Sequence, residues 1–122
     1  MMRMTWLGFG AVFGFVGVAA GAFGAHALRE RLEPRLLEIF ETGARYQLIH
    51  AVALVALSAL RLEARWTGWS WVIGVIVFSG SLYVLALTGV RAWGAVTPIG
   101  GVALLVGWAS LAWLAWRSKG SV

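Results

Sequence analysis

The chain has no cysteine and no aspartate, only two prolines, and a single lysine among its 122 residues. Without cysteine there are no disulfides, no thiol nucleophile, no iron–sulfur cluster and no thiolate zinc site. Without aspartate there is no Ser–His–Asp set. Charge is scarce as well: Asp, Glu, Lys and Arg make up 12% of the residues, about half the soluble average of about 25%. What fills the chain instead is apolar, at 61% hydrophobic residues with eight tryptophans.

The charged residues fall in clusters, and uncharged stretches lie between them from Met4 to Leu28, Tyr46 to Leu60, Trp66 to Val90 and Ala92 to Trp116. Three of these have 25 residues, and a helix needs only about 20 to cross about 30 Å of hydrocarbon. The second has 15 and must borrow from its flanks, which places Arg45 and Arg61 where long side chains can snorkel to the interfaces. The expectation is an all-α integral membrane bundle of one domain, 1–122, with transmembrane helices near 4–27, 42–62, 67–89 and 97–117. Arg3 and the small residues around His26 superficially resemble a secretory leader, but the apolar stretch exceeds the usual leader core of about 7 to 15 residues, so residues 1–28 are expected to remain. The net charge of +5 belongs with membrane flanks and lipid headgroups rather than with nucleic acid.

Between the first two spans, Leu28, Leu32, Leu36 and Phe40 recur every four residues among Arg and Glu. That pattern predicts a short amphipathic interfacial helix over about 29–41, starting near Pro34. Glu41 stands four residues before Arg45, the favourable order for an intrahelical ion pair.

Helix 1 carries Gly10, Gly14, Gly17, Gly21 and Gly24 at spacings of four, three, four and three. Such a stripe lets another backbone approach closely, which in lipid is a main route to helix association. Gly74 on helix 3, and Gly100 and Gly107 on helix 4, mark two further packing faces. "GFGAVFG" has no strand before it, so packing is preferred to nucleotide binding. In helix 2 the polar residues Tyr46, Gln47, His50 and Ser58 share an arc of about 120° and are expected to face inward. His50 should meet a hydroxyl such as Ser79 or Tyr83 of helix 3. "TPIGG" starts helix 4 with Thr97 as cap and Pro98 in the first turn. Trp66, Trp69, Trp71, Trp93, Trp113 and Trp116 lie mostly near helix ends, as an aromatic belt does.

The runs "GAFGAHAL", "RYQLIHA", "FSGSLYVLALTG" and "TPIGGVALLVGW" resemble, in order, the YgdD-like inner membrane proteins and their eukaryotic relatives, the transmembrane protein 256 family. The resemblance implies a small four-helix membrane protein. That family is described as being of unknown function, so no catalytic residue carries over. It does imply that Gly21, Gly24, His26, Tyr46, His50, Ser79, Gly80, Ser81, Tyr83, Pro98, Gly100 and Gly101 occupy the family's recurring positions.

Three functional classes follow. The first, preferred, is a structural or accessory protein that binds lipid, another membrane subunit or a second copy of itself. The second is a small-solute or proton transporter using a polar cluster of His26, Arg45, Tyr46, Gln47 and His50, with Ser79 and Tyr83 beside it. Against it stand the lack of acidic residues within a span and of an inverted repeat. The third, an enzyme or haem protein, is set aside with no catalytic, cofactor or metal residue assigned. His26 lies near the end of helix 1 and His50 about two turns into helix 2, so their heights differ by roughly 6 to 10 Å. Zinc lacks ligands unless Glu30 or Glu41 joins. Flanking cations are tied at five on each side, Arg3, Arg61, Arg65, Arg117 and Lys119 against Arg29, Arg31, Arg35, Arg45 and Arg91. The four glutamates interleaved with the second group tip the expectation towards an inner membrane protein with both termini cytoplasmic.

Overall fold

The computed structural model describes residues 2–119, apart from the side chain of Lys119, and these are helical throughout apart from short turns. Helix α1, Met2–Val18, runs on through a π-helical segment, Ala19–Gly24, into α2, Ala25–Leu28. There follow α3, Pro34–Ala59, then α4, Arg65–Thr88, a 3-10 turn, Arg91–Ala95, and α5, Thr97–Lys119. Met2–Leu28, Arg65–Thr88 and Arg91–Ser118 are each long and apolar enough to cross a membrane.

Helix α3 is as long as these but carries Arg35, Glu38, Glu41 and Arg45 in its first half. The sequence pattern marks an interfacial segment that feeds into the second span, and the structure makes the two one continuous helix. Glu33 precedes it in extended conformation, Pro34 takes the first turn, and nothing interrupts the helix until Leu60 returns to extended backbone. Its 26 residues measure about 39 Å at about 1.5 Å per residue. That exceeds the hydrocarbon thickness of about 30 Å, so a single helix has length for both roles. The leucines ahead of it are not free for a lipid surface: Leu28 and Leu32 pack with Leu37 against buried Ala25, Phe40 and Ala86.

The helices pack in chain order, α1 on α3, α3 on α4 and α4 on α5. Among the described residues the backbones of α1 and α5 do not come close, and α1 approaches α4 only slightly. There Trp6 lies on Gly68, whose missing Cβ leaves room for the indole. The array is therefore open, with α3 and α4 at its centre and the first span exposing Met4, Val12, Phe15 and Phe23. Apolar side chains turned outward over that length fit a lipid solvent.

Small residues set the spacing. A Cβ on Gly10 would lie 2.8 Å from Val55 Cγ2 and 2.9 Å from the Ala51 carbonyl oxygen, and one on Gly74 would lie 2.6 Å from Leu104 Cδ2. On α5, Gly100 abuts the backbone of Phe78 and Gly107 abuts the indole of Trp71. Trp71 is thus 1% exposed, in the core rather than in the aromatic belt, because Gly107 makes the space its ring fills. Trp66 and Trp116 are exposed. Gly43 stands outside the spaced glycines, yet a Cβ added to it would meet Tyr83 Cε1 at 3.0 Å.

Candidate functional site

The polar face of α3 resolves into three places rather than one cluster. In the first, Gln47 bridges three helices. Its Nε2 donates to the Phe13 carbonyl of α1 at 2.9 Å, and its Oε1 accepts from the Tyr83 hydroxyl of α4 at 2.7 Å. One turn earlier, Ser79 Oγ donates to the Gly43 carbonyl at 2.7 Å. Gln47 and Ser79 are buried, and each has the partner that a group removed from water requires.

The second place is His50, buried and facing inward as the sequence implies, but not towards a hydroxyl. Trp108 Nε1 of α5 donates to His50 Nε2 at 3.0 Å, while His50 Nδ1 lies 2.7 Å from the Tyr46 carbonyl. An indole N–H can only donate, so Nε2 is the acceptor and Nδ1 carries the proton: a neutral imidazole in a single tautomer. Ser79 and Tyr83 are unavailable to it because Gly43 and Gln47 engage them. The Tyr46 side chain turns outward, 39% exposed, with its ring 4.8 Å from that of Phe78. Tyr46, Phe78, Pro98, Leu105 and Trp108 line an apolar groove of about 430 Å³ beside His50.

The third place is a crevice of about 580 Å³ between the end of the first span and the start of α3, and it holds the two remaining members, His26 and Arg45, together with Arg29 and Glu41. His26 and His50 therefore lie in separate sites. Among the described residues the one ion pair within 4.0 Å is exposed Arg35 with Glu33, so Glu41 and Arg45 do not pair. Gly17 is held against Leu48, where an added Cβ would lie 2.8 Å from Leu48 Cδ2, whereas a Cβ on Gly21 would find only ordinary contacts, 3.7 Å from Ala44 Cβ and 4.0 Å from Leu48 Cδ1. Gly14 is similarly free, and Gly24 sits under Phe40. Gly21 and Gly24 lie in the π segment, at whose end the Ala25 N–H reaches back five residues to the Ala20 carbonyl.

The seam between α4 and α5 is polar at both ends. Thr67 bonds Ser110 at 2.9 Å and Ser81 bonds Thr97 at 2.6 Å. Thr97 thus uses its hydroxyl across the seam, and on the Trp93 carbonyl at 3.4 Å.

Residues 20–101 match the family described as "Protein of unknown function (DUF423)". The chain belongs to that family. A UPF0382 membrane protein of Haemophilus influenzae is 47% identical over 97% of this chain and 98% of its own length. The inner membrane protein YgdD of Escherichia coli is 45% identical over 83% of this chain and 81% of its own, and a UPF0382 membrane protein of Staphylococcus saprophyticus is 42% identical over 84% and 88%. No solved structure matches. The chain is accordingly a membrane protein, and the YgdD relatives are named as inner membrane proteins.

Proposed function

We propose that this DUF423 protein is a non-catalytic structural or accessory protein of the inner membrane, which crosses the bilayer four times with both termini cytoplasmic and binds lipid or another membrane subunit. The observation that carries this reading is the state of four inward-facing polar groups. Gln47, His50, Ser79 and Tyr83 are neutral, and each is engaged in hydrogen bonds that tie α3 to α1, α4 or α5. Polar groups used in this way hold helices together in lipid, where apolar burial gives little drive. A proton path would need titratable groups in series at membrane depth, and His26 and Arg45 lie instead in the half-open crevice with Arg29 and Glu41.

Native mass spectrometry of protein extracted from its own membrane in mild detergent tests the reading. A retained lipid or second subunit supports it. A bare monomer that conducts protons once reconstituted in liposomes overturns it in favour of transport.

A further inference from the structure

We propose that the crevice between the first span and α3 is a binding site for an anionic glycerophospholipid, with the phosphate at Arg29 and Arg45 and an acyl chain along Gly21, Ala44 and Leu48. This inference rests on the lipid-binding form of the function proposed above and gives it a site.

Two ridges face each other across the crevice, and both follow the spacing of a single helix face. Ala22, Ala25, His26 and Arg29 form one, and Glu41, Ala44, Arg45 and Leu48 the other. The helices run antiparallel, since Gly17 meets Leu48, Gly21 meets Ala44 and Gly24 meets Phe40. Polarity is therefore graded along the crevice: His26, Arg29, Glu41 and Arg45 at one end, methyl groups and Leu48 at the other. A phospholipid has that gradient, with a charged phosphodiester above hydrocarbon.

The charge selects the headgroup. Two guanidiniums face one carboxylate, and neither Arg29 nor Arg45 is within 4.0 Å of an acidic group. Guanidinium is well shaped for bidentate contact with phosphate. A second copy of the chain would present the same excess of cations and be repelled. Space is also explained: Gly21 is exposed and makes no close contact that requires glycine, so its lack of a side chain keeps the crevice open rather than drawing α3 in.

Delipidated protein in mild detergent would be offered phosphatidylglycerol, phosphatidylethanolamine and phosphatidylcholine of identical chains, and the retained lipid read by native mass spectrometry. Wild type should retain phosphatidylglycerol preferentially. Arg29→Gln and Arg45→Gln should each lower that retention roughly fivefold, the effect of one basic residue near an anionic lipid. Gly21→Leu should lower it by filling the crevice with the charge unchanged, and Glu41→Gln should raise it, which a merely damaged fold would not do. Arg61→Gln, at the opposite end of α3, should leave it unchanged. If phosphatidylglycerol is still selected but the crevice variants retain it like wild type, the site is wrong while the lipid-binding reading stands. Equal retention of all three lipids overturns anion recognition. If wild type retains no lipid, the site and the lipid-binding reading fall together, and a subunit partner becomes the surviving form of the function.

Discussion

Trp108 of α5 donates its indole hydrogen to Nε2 of His50, 58 residues earlier in the chain and on a helix that α5 otherwise barely approaches. The bond fixes the proton on Nδ1 and joins the outermost helix to the centre of the array. Nitrogen NMR of histidine-labelled protein should therefore show His50 as the Nδ1-protonated tautomer. Trp108→Phe should release it and lower stability by about 1 kcal/mol. A His50 signal from the Nε2-protonated form would mean that the Trp108 bond is not made, since an indole nitrogen cannot accept.

The glycines separate into two groups that one stripe does not distinguish. Gly10→Ala presses on the Ala51 carbonyl and Gly100→Ala on the Phe78 backbone, neither of which can swing aside, so both should lower the midpoint of thermal unfolding, Gly100→Ala more. Gly14→Ala meets only Ala51 Cβ at 3.8 Å and should be neutral or gain up to about 1 kcal/mol from helix propensity. Equal losses at Gly10 and Gly14 would mean that the α1–α3 contact is looser than described.

Tyr83→Phe should leave the buried Gln47 oxygen without a donor, at a cost of about 1 kcal/mol. Gln47→Leu removes both bonds and with them the link to the Phe13 carbonyl. A double-mutant cycle between Gln47 and Tyr83 should give a coupling of about 0.6 kcal/mol or more. No coupling would mean that the phenol is satisfied elsewhere.

Much of this was legible from periodicity. The apolar stretches mark the helices, and on α4 Ser79 and Tyr83 turn towards α3 while Gly74 packs against α5, as their types imply. What spacing could not carry was pairing between helices. The partner of His50 is a tryptophan that reads from sequence as one more apolar residue of a span, and Trp71 reads as belt because only the facing Gly107 shows it to be core. The π segment was also illegible, because "AAGAFG" satisfies an α-helical count equally well. The leucine and charge pattern of residues 28–40 does predict amphipathicity, but an apolar stripe is the same whether it meets lipid or, as with Leu32 and Phe40, other helices.

The absence of cysteine makes the four-span topology directly testable, because each introduced thiol is the only one in the protein. Arg31 lies between the first span and α3, Glu63 between α3 and α4, and Arg91 after α4. If both α3 and α4 cross and the termini are cytoplasmic, then in intact spheroplasts an impermeant maleimide should label Arg31→Cys and Arg91→Cys, and should reach Glu63→Cys only after lysis. The physical demand falls on α3, whose charges in the first half exclude that half from hydrocarbon while its length still allows the remainder to span. Labelling of Arg31→Cys and Glu63→Cys from the same side would mean that α3 does not cross. The inverse pattern, Glu63→Cys alone reactive in intact spheroplasts, would keep four spans and turn the protein over, placing the arginine crevice in the cytoplasmic leaflet.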